Sequence, residues 1–177
     1  MESKAKLLGH PIHPMLIVFP LGLLVTSLIF DVIQMLTGTT DLSVAAFWAI
    51  AAGIVGGLAA ALFGLIDWLA IPGGTRAKSI GLWHGIGNVV VVALFAVSWL
   101  LRSGSAGYAP DMIAFGLSLA AVLIGAVTGW LGGELVDRLG VGVDPGAHLN
   151  APSSLSDRPA HDDAAPATAT RSTGMPA

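Results

Sequence analysis

The chain has 177 residues, no cysteine and a formal net charge of −3. Its content of 54% hydrophobic and 11% charged residues excludes an ordinary soluble globule, in which about 25% of residues are charged. The weak net charge argues against a nucleic-acid partner, and the lack of cysteine excludes disulfides and thiolate metal sites. We therefore expect an integral membrane protein whose main partner is the lipid bilayer.

Four apolar segments are each long enough to supply the roughly 20 residues that a helix needs to cross a bilayer. They are too long for membrane strands and lack the alternating pattern of strands. The predicted spans are about 15–36, 44–71, 80–101 and 112–136. The fold class is therefore an all-α membrane protein, a four-transmembrane-helix antiparallel bundle within residues 1–144.

The first span resembles a signal peptide because lysines precede it, but we expect it to be retained, since no small-residue cleavage site follows a short apolar run. The lysines and arginines in the short loops predict how the protein is oriented in the membrane, because cytoplasmic loops carry more of them. Those on one side of the bundle are Lys4, Lys6, Arg76, Lys78 and Arg138, against Arg102 alone on the other side. We expect a multi-pass protein of the bacterial plasma (inner) membrane with both termini cytoplasmic.

Beyond residue 144 the chain is rich in proline, alanine, serine, threonine and aspartate. Such a segment cannot bury enough apolar surface to order itself. Residues 145–177 are therefore predicted to form a disordered cytoplasmic tail.

Small residues four positions apart predict close approaches between helices. They form three sets: Gly53, Gly57 and Ala61; Gly81 and Gly85; Gly125, Gly129 and Gly133. The triple in the fourth span is the strongest case for a tight interface. The sequence shows no convincing internal repeat.

Ionisable side chains gather at the predicted cytoplasmic end. His13 precedes Pro14 at the start of the first helix, while Asp67 and Glu134 lie near the ends of the second and fourth. His84 lies at a matching depth in the third helix, with Asn88 one turn deeper on the same face. Asp31 follows His13 by eighteen residues, roughly 27 Å along a helix, and is expected at the opposite surface, exposed there or in a proton relay.

The helix dipoles affect the charge state expected for these histidines and acids. Helix N-termini favour negative groups and C-termini favour positive ones. Here the histidines occupy N-termini and the acids occupy C-termini, the ends least suited to their charged forms. This arrangement favours neutral imidazoles, which can bind a metal or haem, beside carboxyls that protonate readily.

These residues are the candidate site. His13 and His84 are candidate ligands of haem b or a metal ion, with His10 as a further metal ligand. Asp67, Asn88 and Glu134 are candidates for supporting those ligands or relaying protons. The structural alternatives are an interfacial His10, a helix-capping His13, a His84 bonded to a carbonyl, and acids paired with each other, Arg76 or Arg138.

The motifs resemble those of the DUF2231 family of predicted bacterial membrane proteins. Residues 9–14, Gly-His-Pro-Ile-His-Pro, resemble its opening signature, and residues 64–68, His84 with Asn88, and 129–135 resemble later motifs. Val18 stands where the family often has a histidine. Some relatives are fused to Rieske-type iron–sulfur domains, so the resemblance implies a link to electron transfer.

Three functions compete. The first is a haem- or metal-binding redox component, and the second is a proton, ion or small-solute pathway. The third is a structural accessory subunit of a larger complex. A homo-oligomer or a redox partner in the membrane would fit these functions. The chain lacks a nucleotide loop, a nucleophile elbow and a zinc-protease helix, so we do not expect an enzyme in the usual sense.

Overall fold

A computed structural model of the chain describes residues 1–163. A short antiparallel hairpin joins β1 (Lys6–Leu7) to β2 (His10–Pro11). Five α-helices follow: α1 (Ile12–Leu16), α2 (Val18–Thr37), α3 (Thr40–Ala70), α4 (Arg76–Arg102) and α5 (Met112–Gly133). A 3₁₀ turn at Ala106–Tyr108 precedes α5, and a π-helical turn at Glu134–Arg138 follows it.

The predicted four-helix membrane bundle is confirmed. Four helical stretches are long and apolar enough to cross a membrane: Ile12–Thr37, Thr40–Ala70, Arg76–Arg102 and Ala106–Arg138. Many large apolar side chains on these helices are exposed, as expected of surfaces that face lipid rather than water. The first, third and fourth spans exceed both of their predicted bounds, because the helices continue past the apolar stretch, whereas the second begins four residues earlier and ends one residue earlier than predicted.

The predicted tail lies partly outside the described residues, which end at 163. Within 145–163 the chain forms turns without helix or strand, and Ser154 contacts the hairpin through His10 and the carbonyl of Leu8. The disorder of the tail therefore stays a prediction.

The first membrane helix is interrupted at Ile17, between α1 and α2. Pro20 explains the interruption, because proline has no N–H to donate to the carbonyl four residues earlier, that of Leu16. Ile17 and Leu21 still make helical hydrogen bonds across the break. His13 therefore lies in the first turn of this span, on the N-terminal side of the missing hydrogen bond.

The bundle consists of two similar helical hairpins, α2–α3 and α4–α5, which the sequence did not reveal. Buried positions of α2 recur 71 residues later in α4: Leu24 with Phe95, Ser27 with Ser98, and Asp31 with Arg102. Buried positions of α3 recur 68 residues later in α5: Ala46 with Ala114, Ile50 with Ser118, Gly53 with Ala121, and Ala60 with Thr128. The two halves are therefore related by an approximate twofold axis that runs along the bundle.

Pairs of equivalent residues meet at both ends of this axis. His13 contacts His84 at one end, and Asp31 contacts Arg102 at the other, and both pairs are separated by 71 residues in the sequence. The apolar core between them is built on Leu24, Ile50 and Phe95. Parallel repeats of this kind, with an axis along the membrane normal, are a known way to build membrane bundles.

Candidate functional site: a pair of histidines on the twofold axis

His13 is bound to the neighbouring helix of its own hairpin. Its Nδ1 lies 2.8 Å from the backbone oxygen of Ala60 in α3. A carbonyl oxygen can only accept a hydrogen bond, so Nδ1 carries the proton and donates it. In the neutral ring, Nε2 is then unprotonated and free to bind a metal.

His84 repeats this arrangement in the second hairpin. Its Nδ1 donates to the backbone oxygen of Thr128 in α5, also at 2.8 Å. Ala60 and Thr128 are equivalent positions of the two halves, so the same bond holds both imidazoles. Metal-binding histidines almost always use their second ring nitrogen in this way, donating to a carbonyl or carboxylate that fixes the tautomer and the ring orientation.

A glycine one turn further along the acceptor helix makes room for each ring. A Cβ atom at Gly64 would lie 2.9 Å from the His13 ring, and one at Gly132 would lie 3.1 Å from Cε1 of His84. These positions are again equivalent in the two halves. The family-like motifs beginning at Gly64 and Gly129 thus have a physical role, because any side chain at Gly64 or Gly132 would press on an imidazole.

The two imidazoles face each other across the axis. Their ring centres are 6.2 Å apart and their planes are inclined at 84°. Two imidazoles on opposite sides of one metal ion would have ring centres about 6.3 Å apart if each metal–nitrogen bond were about 2.0 Å long. The observed separation is close to this distance, so the histidine pair is a candidate for holding a ligand between the rings.

Asn88 extends the site on the side of His84. Its amide nitrogen donates to the backbone oxygen of His84 at 2.8 Å and lies 3.3 Å from Nε2 of the same ring. Its amide oxygen accepts from the hydroxyl of Thr128 at 3.1 Å. Asn88 thus links the histidine to the helix that holds it, and it keeps its better bond, to the His84 carbonyl, if Nε2 binds a ligand.

Asp67 and Glu134 lie at the same end of the bundle but bind other groups. Asp67 accepts from the Ser3 hydroxyl and from the backbone N–H of Lys4, each at 2.7 Å. Glu134 pairs with Arg76 at 2.6 Å, one of the structural alternatives raised by the sequence. Within residues 1–163, neither carboxylate hydrogen-bonds to either histidine. The predicted cluster therefore divides into an inner histidine pair and two outer acids.

His10 lies on the hairpin, where its Nε2 is 3.2 Å from the hydroxyl of Ser154. Nearby, Lys6 binds Asp144, and this hydrogen bond raises the pKa of the lysine above its ordinary value. In the part of the chain that the structure describes, no three histidine, cysteine or acidic side chains are grouped so that they could hold a metal ion. The role of His10 as a third ligand has no support in these contacts.

The far end of the axis holds an ion pair that the sequence did not predict. Asp31 and Arg102 are both fully buried, and Nη1 of the arginine lies 2.9 Å from Oδ1 of the aspartate. The other terminal nitrogen of Arg102 donates to the hydroxyls of Ser98 and Ser118. The expected exposure of Asp31 is wrong, because Arg102 reaches back from the end of α4 and neutralises it inside the bundle. The equal 71-residue spacing of this pair and of the histidines is the signal that could have found it.

A family model matches residues 9–145, which cover all four membrane helices and both histidines of the pair. The chain belongs to the DUF2231 family. This family is described as predicted membrane proteins, which agrees with the resemblance noted in the sequence. Among curated proteins and among solved structures, none matches the chain.

Proposed function

We propose that His13 and His84 would together hold one haem b, and that the protein is an electron-transfer component of the membrane. The observation that carries this proposal is the pairing of the two rings. Their centres are 6.2 Å apart, and each ring donates Nδ1–H to a backbone oxygen and so leaves Nε2 as the ligand atom. Histidines on separate helices of a bundle are a common support for haem.

The small number of ligands favours haem over a bare metal ion. A structural zinc ion takes four protein ligands, and a catalytic one takes three. The described residues bring only two histidines together and no group of three metal-binding side chains. A porphyrin supplies four nitrogens of its own, so two histidines are sufficient to complete the coordination of its iron.

Ligation by two histidines favours electron transfer over chemistry on a bound substrate. If both histidines held the haem, the iron would have no position open to a small molecule, and the group would supply electron transfer rather than substrate chemistry. The residues around the site serve this purpose. Gly64 and Gly132 let the rings sit close to the helices, and the two carbonyl bonds hold the ring orientation.

The histidine end is proposed to face the cytoplasm. Lys4, Lys6, Arg76, Lys78 and Arg138 all belong to this end of the bundle. Among residues 1–163, Arg102 is the one basic residue at the far end, and it is buried against Asp31 rather than presented in a loop. Its burial widens the difference in basic residues between the two sides, which is the quantity that orients bacterial plasma-membrane proteins.

An absorption spectrum with quantified haem tests the proposal. Protein purified from haem-replete cells is expected to carry one haem per chain, and its reduced spectrum should show the sharp bands of a low-spin b-type haem. The His13→Ala and His84→Ala variants should each lose this low-spin spectrum. His10→Ala is the matched control and should keep it. Colourless wild-type protein, or full haem in both ligand variants, would contradict the proposal.

A further inference from the structure

We infer that Asp67 and Glu134 are positioning residues, each of which ties down the chain segment that leads into the histidine of its own hairpin. This inference rests on the proposed function, because it assigns these acids a part in holding the haem ligands. It differs from a proton relay, since the carboxylates act through the backbone and never contact the imidazoles.

The contacts of Asp67 form a clamp on the N-terminal segment. Its oxygens accept from the hydroxyl of the buried Ser3 and from the backbone N–H of Lys4, and a longer bond of 3.3 Å comes from the N–H of Ala5. The carbonyl of Ala5 in turn accepts from the N–H of Ile12 at 2.9 Å. A continuous chain of hydrogen bonds therefore runs from Asp67 to the first residue of the helical turn that carries His13.

His13 lies in the first turn of its membrane helix, directly after the segment that Asp67 clamps. The turn α1 spans five residues and is separated from α2 at Ile17, where Pro20 removes a helical hydrogen bond. The amino terminus adds two further bonds to the same segment, since the Met1 amine donates to Gly140 and the Met1 carbonyl accepts from Gly142. The position of His13 is thus set from both sides, by α3 through Ala60 and by the anchored N-terminal segment.

Glu134 makes the corresponding contact in the second hairpin. It pairs with Arg76, the first residue of α4, which precedes His84 by eight residues. Ala5, the last residue clamped by Asp67, precedes His13 by the same eight residues. The acids lie three and two residues after Gly64 and Gly132, the glycines that pack on the rings. In each hairpin, the second helix bonds to the histidine, and an acid at or just beyond the end of that helix bonds to the segment before the histidine.

The two clamps differ in strength. Asp67 has three donors around it and a buried partner in Ser3, whereas Glu134 has one partner whose side chain is 60% exposed. An exposed ion pair contributes little to stability. His84 also lies well inside the long helix α4 and depends less on its anchor. We expect the loss of Asp67 to matter more than the loss of Glu134.

The test combines a label and a haem-release assay in the full-length protein. The chain has no cysteine, so Leu7→Cys, at an exposed position of β1, can carry a single nitroxide label. Asp67→Ala and Ser3→Ala should increase the mobility of the label. They should also speed haem transfer to apomyoglobin by about tenfold to a hundredfold, as for other losses of support behind a metal ligand.

Asp67→Asn keeps one acceptor oxygen, so its label mobility and its rate of haem release should lie between those of these variants and those of the wild type. Glu134→Gln should speed release by a smaller factor.

The control is Asp137→Asn, which removes an exposed acid within the same π-helical turn as Glu134. It should change neither label mobility nor haem release. A wild-type rate of release in Asp67→Ala and Ser3→Ala, whether or not the label becomes mobile, would overturn the positioning role alone. Wild-type protein without haem would overturn the proposed function, and the positioning role with it.

Discussion

The two ends of the twofold axis hold the same kind of contact, between equivalent residues of the two hairpins, but with opposite chemistry. At one end Asp31 and Arg102 neutralise each other and are fully buried. At the other end His13 and His84 are alike, and each leaves an unprotonated Nε2 atom. The charges of the ion pair balance without a ligand, although Oδ2 of Asp31 and Nε of Arg102 have no hydrogen-bond partner among the described residues. At the histidine end, Nε2 of His84 lies 3.3 Å from the Asn88 amide nitrogen, a contact that a bound ligand would replace. We therefore expect substitutions at the ion-pair end to change mainly the stability of the protein, and substitutions at the histidine end to change mainly ligand binding.

The largest expected effect is on stability at the ion-pair end. Arg102→Ala leaves the Asp31 carboxylate buried without its partner, which should lower the free energy of unfolding by about 3–5 kcal/mol. Denaturant titration of the protein in bicelles measures this change. Replacing both partners together, Asp31→Leu with Arg102→Met, should cost much less, because no charge remains buried.

Exchanging the charges tests the twofold relation itself. Because positions 31 and 102 are equivalent, the double variant Asp31→Arg with Arg102→Asp should regain much of the stability that either single change loses. A double variant no more stable than the singles would show that the surroundings of the two positions are not interchangeable. In all these variants that still fold, the haem spectrum should be unchanged.

The next effect is at the histidine end. Gly64→Ala places a methyl group 2.9 Å from the His13 ring, so it should cost about 1–3 kcal/mol of overpacking and weaken haem binding. Gly129→Ala is the matched control, because a Cβ atom there meets no atom within 4 Å. Thermal unfolding and haem content measure both effects. If the two variants behave alike, Gly64 does not hold the ring.

A smaller effect is expected from Asn88→Ala. The change removes one bond to the carbonyl of His84 and one to the hydroxyl of Thr128, and Thr128 can still donate to Gly125. The expected loss is about 1 kcal/mol of unfolding free energy, typical of a net hydrogen bond. Denaturant titration should show no change for Asn150→Ala in the exposed tail. A loss of several kcal/mol would instead mark Asn88 as a principal support of the fold.

The smallest effect concerns pH and the N-terminal segment. The hydrogen bond with Asp144 raises the pKa of Lys6 above 10.5 in the folded protein. The contribution of this hydrogen bond to the free energy of unfolding is therefore complete below pH 10.5. It is lost as the pH rises through the pKa of Lys6 in the folded protein. The label at position 7 should become more mobile over this alkaline range, and Lys6→Met should abolish the transition. A transition that persists in Lys6→Met would assign it to another group.

The number and depth of the helices could be predicted from the sequence because a bilayer imposes a fixed length and composition on each span. His13 and His84 were recognised for a similar reason, since depth along each helix follows from residue count. Their bonds to Ala60 and Thr128 could not be predicted, because the rotation of neighbouring helices depends on packing that periodicity alone does not specify.

For the two acids and Arg102, the position along a helix was not enough to predict the bonding partner. Asp67 and Glu134 lie at the expected end of the bundle, yet their partners Ser3 and Arg76 come from segments outside the predicted spans. The sequence places Arg102 at the start of a loop, because it follows the apolar stretch of the third helix. In the folded protein its long side chain returns into the bundle to meet Asp31, a contact that local sequence does not encode.

Electron paramagnetic resonance of the oxidised wild-type protein at low temperature tests the proposed haem binding by the histidine pair most directly. The imidazole planes are inclined at 84°, and two nearly perpendicular imidazoles would give low-spin ferric haem a single, highly anisotropic low-field signal. We predict this signal, at one spin per chain. A high-spin spectrum, or no haem signal from protein made in haem-replete cells, would contradict the assignment of His13 and His84 as paired ligands.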